Sequence, residues 1–456
     1  MNSLRNRFRN PAAEPLFNSR DLIHLILPFI AGFVMSLLVG MLDTAMVSTV
    51  GEHAVSGVSL VDNLIQVVVF VFMAFGTGGA VVAGQYLGNR DAKQACDSTE
   101  QLLMLAGTVS ALAMILLFLA RRSIITLVFG SITDEVNTEV QIYLGITVFS
   151  IPAMALYEAE LASFRAMGEA RITMYLSLMM NLINVIGNAL LIFVFHMGTA
   201  GVAWPTLVSR WAAALMAFVL LLDQRRPLHL RPGQGFRLRG DLIGKILRVG
   251  LPNGVENGIF QLGKLITLSI ITGFGTQAIA ANAIAVILTN IISVPGWGIN
   301  QTTMTVIARC VGAEEYEQAK FYNRLLLDIT RIAITIWGLI IILSLPLILP
   351  IFHLSAEAAA IARWMVIIHA VGSVFVWGQA FMTPTAMRAS GDATFAMVIS
   401  IASMWIFRVG LAWILSRITG LGALSVWTAM DIDWLCRAII YSIYWKRGRW
   451  MKKRVV

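Results

Sequence analysis

Long apolar stretches alternate with short polar ones along the whole chain, and they show none of the residue-by-residue alternation of a membrane β-barrel strand. Runs long enough to span a bilayer fall near 22–48, 56–86, 98–120, 139–164, 172–196 and 199–222. A second set falls near 244–272, 278–308, 325–350, 360–387, 395–416 and 421–445. About 20 apolar residues cross the hydrocarbon core as a helix, so the pattern predicts an all-α polytopic membrane protein with twelve transmembrane helices. The only long polar interruption is 223–241, DQRRPLHLRPGQGFRLRGD, whose Pro, Gly and Arg content marks a solvated linker. The predicted organisation is a tail (1–21), an N-lobe (22–222), a linker (223–242), a C-lobe (243–445) and a basic tail (446–456).

The two lobes read as copies. Pro28, Gly51, Gly88 and Ala95 recur as Pro252, Gly275, Gly312 and Ala319, each 224 residues on. The stretch from Arg165, RAMGEA, recurs from Arg388 as RASGDA, and Gly198 to Thr206 faces Gly420 to Thr428. Six helices per copy is an even number, so both copies enter the membrane in the same sense, as a parallel repeat. Two six-helix bundles around a central cleft suit alternating access, and transport is the leading reading.

Composition agrees: 58% of the 456 residues are hydrophobic, 13% are charged, and mean hydropathy is +0.77. A soluble protein carries about a quarter charged residues. The net charge of +9 reflects basic loops on one side rather than a nucleic-acid surface. On this reading 25 of the 34 Lys and Arg residues lie on the side of the termini and four on the other, with five inside spans. That bias puts both termini in the cytoplasm, and the Arg-containing N-terminal segment reads as a retained tail. Cys96, Cys310 and Cys436 show no metal-ligand spacing and are expected as reduced thiols. No phosphate-binding loop, HExxH helix or GxSxG elbow is present, so neither an enzyme nor an ATP-driven motor is expected.

Charges inside the bilayer are costly and usually functional. Asp43 lies in helix 1 within GMLDTAMVSTVG and is the first candidate for a carboxylate that binds a proton or cation; the bland alternative is a solvent-capped helix end. Helix 5 carries Asn181, Asn184 and Asn188 at spacings of three and four, on one face. Such a stripe lines a wet cavity or bonds helices together, and Thr206 of helix 6 is placed to complete it. Glu256 is a second cation or proton candidate, with Lys264 two turns on as a counter-charge. Asp62, Glu158 and Trp377 are weaker candidates for the substrate cleft, and one of Glu158 and Glu160 must point elsewhere. Arg408 with Asp431 and Asp433 is a candidate ion-pair group in the C-lobe. The 22 Met residues and several Trp residues suit a promiscuous apolar wall as well as plain core.

The helix 1 pattern LP…LDTAMVSTVG, GTGG…AGQYLGNRDAKQA, FRAMGEAR with MRASGDAT, and NxxxN followed by GTAGVAWPT together resemble the multidrug and toxic compound extrusion (MATE) family of the MOP superfamily. The resemblance covers about residues 20–445. It implies a secondary antiporter of a bacterial inner membrane, working without a cofactor. Such a protein exports amphipathic, often cationic, organic compounds in exchange for H+ or Na+; two covalently joined lobes leave no need for a dimer, so a monomer is expected. It further implies that Asp43, with Asn184, Asn188 and Thr206, forms the N-lobe coupling site, and that Glu256 is the helix 7 carboxylate. Family members often carry Asp where this chain has Asn188, and Trp377 stands where an acidic residue of helix 10 is expected. One carboxylate per lobe favours protons over Na+ at Asp43 or Glu256, since a hard cation wants more anionic oxygen. The rivals are a lipid-linked oligosaccharide flippase of the same superfamily and a non-transporting membrane protein.

Overall fold

The computed structural model describes residues 14–130, 132–231 and 238–456. Among them run twelve long helical spans. In the first half these are α1 (Ser19–Ser48), α2 (Glu52–Gly88), α3 (Ala92–Phe129), α4 (Asp134–Met167), α5 (Ala170–Val194) and α6 (Ala200–Leu221). In the second they are α7 (Gly240–Thr272), α8 (Thr276–Gly312), α9 (Tyr316–Phe352), α10 (Ala356–Ser390), α11 (Ala393–Ile418) and α12 (Leu424–Lys446).

Ten of the twelve are long and apolar enough to cross a membrane. The other two, α7 and α12, are 33 and 23 residues long. They carry the polar load of the second half: Glu256 and Lys264 in α7, and Asp431, Asp433 and Arg437 in α12. Several helices outrun the apolar stretches that announced them. The 37 residues of α2 and of α8 extend about 55 Å at 1.5 Å per residue, well beyond a hydrocarbon core of about 30 Å. Large apolar side chains face outward, Leu119, Leu343 and Leu347 among them, each more than three-quarters exposed. In a lipid solvent that exposure carries no hydrophobic penalty.

The motif shared by the two halves has a local cause. Gly168 ends α4 with φ +78° and Gly391 ends α10 with φ +100°, and each amide bonds back into the last turn of its helix. Glycine takes this left-handed conformation without the penalty a Cβ imposes. The acidic residue after each, Glu169 or Asp392, then stands at the N-cap of the next helix. The α2–α3 and α8–α9 turns repeat in the same way, with Arg90 at φ 60° and Glu314 at φ 63°.

The chain groups into two compact units. One is Leu27–Gly254; the other is Val255–Val456 with the segment ending at Ile26. In the first, α2 packs on α3 and α4, and α5 on α6. There α2 crosses α7 at glycines: a Cβ on Gly78 would sit 2.2 Å from the Ile246 carbonyl oxygen, and one on Gly250 would sit 2.9 Å from that of Ala74. In the second, α8 packs on α9 and α10, and α12 on α10 and α11.

The described ends of the linker are tied down rather than merely solvated. Arg231 pairs with Asp97 and, at 3.3 Å, with Glu100; Arg239 reaches Asp97 at 2.8 Å. Leu228 is fully buried. Burial opposes the charge of Arg231, and its hydrogen bonds to Asp97 and Glu100 outweigh that, holding its pKa above the ordinary arginine value.

Candidate coupling site

The site in the first unit is built where α5 and α6 come close. A Cβ on Gly187 would lie 2.7 Å from the Pro205 ring, so only a glycine lets the two helices approach this far. The approach places Asn184 and Thr206 side by side, and the Asn184 amide donates to Thr206 Oγ1 at 3.2 Å. Thr206 passes its own proton to the Val202 carbonyl at 2.9 Å. One turn on, Asn188 donates to Asn184 Oδ1 at 3.3 Å and to Asp43 Oδ1 of α1 at 2.5 Å. A continuous polar chain therefore runs Asp43–Asn188–Asn184–Thr206 across three helices. Directly after Asn188 the helix widens into a π turn, Leu190–Val194, a distortion frequent at functional sites.

The ends of this chain differ in character. Asn188 is fully buried, while Asp43 is half-buried and makes no ion pair among the described residues. Asn188 spends both amide protons, and its Oδ1 finds no partner. An ionised carboxylate only accepts, so the amide nitrogen faces it; a protonated Asp43 would present a donor that suits the amide oxygen equally well. Asn188 can thus serve both protonation states of its neighbour.

Asp62 of α2 lies nearby and accepts from Tyr143 of α4 at 3.2 Å. The charges of Asp62 and Arg210 both act on Asp43. Arg210, one turn beyond Thr206, is held by Ser150 at 2.8 Å. Tyr143 and Arg210 were not singled out from the sequence. In the sequence Arg210 is marked only as a cation inside the apolar run 199–222, and nothing marks Tyr143.

The remaining candidates lie elsewhere. Glu158 faces Arg165 at 3.7 Å, while Glu160 is buried with one carboxylate oxygen unpartnered. In the second unit, Glu256 is locked to Arg388 of α10, both of its oxygens lying 2.6 Å from one guanidinium nitrogen. Its counter-charge is Arg388, not Lys264. Lys264 lies 5.3 Å from the centre of the Phe260 ring and forms no ion pair among the described residues. Trp377 is buried among Trp297 and Phe381. Asp433 pairs with Arg437 four residues on, at 2.8 Å, and not with Arg408. Among the described residues no group of three or more His, Cys, Asp or Glu side chains converges to hold a metal ion.

Comparison with known proteins places this architecture. The MatE family model matches residues 28–190 and again 252–414, two copies displaced by the same 224 residues that separate Pro28 from Pro252. An uncharacterized transporter, YisQ, of Bacillus subtilis is 23% identical over 96% of this chain and 97% of its own length. A probable multidrug resistance protein, NorM, of Thermotoga maritima is 25% identical over 96% and 94%. Among solved structures, the outward-facing conformation of a multidrug resistance MATE family transporter of the MOP superfamily superposes with a TM-score of 0.88. It is 20% identical over 95% of this chain and 96% of that one. A mutant of the Vibrio cholerae MATE transporter VcmN gives 0.86 at 16% identity over 95% and 98%. The repeated family match, the twelve helices and the shared fold together show that this chain belongs to the MatE family of multi-pass membrane transporters.

Proposed function

We propose that this protein is a proton-coupled antiporter that exports amphipathic, often cationic organic compounds by alternating access, with Asp43 as the coupling carboxylate. The observation that carries the reading is the polar chain from Asp43 through Asn188 and Asn184 to Thr206. It puts a carboxylate without an ion-pair partner inside an apolar helix, beside an amide able to adapt to either protonation state. The relatives' descriptions as multidrug resistance proteins support the substrate class.

Protons suit this site better than Na+. Of the four members of the polar chain only Asp43 is anionic, and the oxygens of Asn184 and Thr206 each already share a lone pair with a neighbouring amide. A hard cation prefers a fuller shell of oxygens. In the proposed cycle, ionised Asp43 favours the cationic compound, and protonation from outside neutralises it and releases the compound. A proton can shift the conformational equilibrium only if it binds the two states with different affinity. Both termini lie in the cytoplasm of a bacterium in this reading, as the basic bias of the loops requires.

The test is export from cells that lack their own efflux pumps and carry wild type or Asp43→Asn. Wild type should lower retention of a cationic dye, and Asp43→Asn should retain it like empty cells at equal expression. Dye export by Asp43→Asn at the wild-type rate removes Asp43 from the mechanism.

A further inference from the structure

A second polar cluster, formed by other residues than the Glu256–Arg388 pair, lies inside the Val255–Val456 unit. On α10, His369, Gly372 and Ser373 share one face at spacings of three and four, and on α12 so do Asp431 and Trp434. The faces meet closely. The His369 and Trp434 rings are 5.3 Å apart, and a Cβ on Gly372 would lie 2.5 Å from Asp431 Oδ2. Arg408 approaches from α11, inside the π-helical stretch Met404–Leu411, and its charge acts on both Asp431 and His369.

Each of these five side chains holds a buried polar atom without a protein partner: His369 Nδ1, Ser373 Oγ, Arg408 Nε, Asp431 Oδ1 and Trp434 Nε1. His369, Ser373 and Trp434 are each at least 95% buried. Buried polar groups are nearly always satisfied, and five exceptions on the packed faces of three neighbouring helices are not scattered packing faults. The neighbouring polar groups lack this feature: Asp433 bonds Ser403 and Arg437, and Tyr441 bonds Ser400. Donors and acceptors are mixed in the cluster, which is the requirement of a water molecule with two to four partners. Asp431 and Arg408 make no ion pair with each other, so neither charge is cancelled by direct contact.

We propose that Asp431 binds and releases a proton in a second, water-holding site formed with His369, Ser373, Arg408 and Trp434, alongside Asp43 in the exchange cycle. The inference rests on the proton-coupled reading given above. The charge that acts directly on Asp431 is Arg408 of α11, and the other charged and titratable groups gathered around Arg408 are His369 of α10, Lys264 of α7, and the mutually paired Asp433 and Arg437 of α12. In protonation the site's water takes up a proton from bulk solution and passes one on to the carboxylate, so the water ends neutral and the carboxyl is uncharged; release runs the same relay backwards.

Infrared difference spectroscopy of the whole protein in liposomes, stepped between acid and alkaline pH, reads carboxyl protonation without any ligand. The wild-type spectrum should contain a protonated-carboxyl component that disappears in Asp431→Asn and a separate one that disappears in Asp43→Asn. An Asp431→Asn spectrum identical to wild type overturns the proposal. Loss of the Asp431 component with no change in Asp43→Asn would instead count against Asp43 as the coupling group. If Asp431→Asn does not fold, Gly372→Ala places a methyl against the carboxylate and should shift the same component. An unshifted band there overturns the proposal as well.

Discussion

The Asn188 side-chain amide donates to Asp43 at 2.5 Å while its own oxygen has no partner. An amide in that position binds a carboxylate through nitrogen, and after rotation binds a carboxylic acid through oxygen. The residue that fixes Asp43 need not resist its protonation.

Removing that amide should damage the site from two sides. Asn188→Ala strips hydrogen bonds from both Asp43 and Asn184 and leaves polar groups unsatisfied, at a cost of about 1–3 kcal/mol. Thermal unfolding in detergent should show a lowered midpoint, and proton-driven export should fall sharply. A variant as stable and as active as wild type would show that the polar chain is incidental.

Asn188→Asp adds a second carboxylate beside the first and raises the anionic oxygen available to a cation. Dye export by this variant should become stimulated by Na+ relative to choline, at constant pH. Equal export in the two salts would mean that ligand charge at this position does not set ion choice.

The Glu256–Arg388 pair is almost enclosed, each side chain being 11% exposed. Breaking a buried pair from one side costs about 3–5 kcal/mol, whereas replacing both partners is often nearly neutral. Arg388→Met alone should therefore destabilise strongly, and Arg388→Met with Glu256→Gln should recover most of the loss in thermal unfolding. If the double variant transports as well as wild type, the pair is structural and Glu256 has no coupling role.

Two glycines offer a stability comparison. Alanine at Gly168 would occupy the left-handed region at φ +78°, a strain of about 1–2 kcal/mol. At Gly391 the φ is +100° and a Cβ would also lie 2.3 Å from the Lys453 carbonyl oxygen, so Gly391→Ala should lower the unfolding midpoint further. Equal shifts would mean that the C-terminal segment moves aside freely.

The sequence makes the helices plain because lipid demands long apolar runs and the two halves confirm one another. Even the polar α7 and α12 are legible as runs near 244–272 and 421–445. The stripe of Asn184 and Asn188 was visible in its spacing of four, as was the Gly-acid motif at the α4 and α10 ends. Apart from Thr206 beside Asn184, pairings across helices are not visible in the sequence. Glu256 and Arg388 are 132 residues apart, and nothing local marks Tyr143 as the partner of Asp62. The Asp433–Arg437 pair is the exception: its spacing of four is written in the chain, and Arg408 drew attention from it. The π turns beside Asn188 and Arg408 leave no sequence signature beyond ordinary helix-forming residues.

The central claim, exchange of a cationic compound for protons through Asp43, is tested most directly with purified protein in liposomes loaded with a fluorescent cationic dye. A pH gradient and a Na+ gradient are imposed separately, on wild type and on Asp43→Asn. The account predicts dye movement driven by the pH gradient alone, and none in the variant. Movement driven only by Na+, or undiminished in Asp43→Asn, would contradict it.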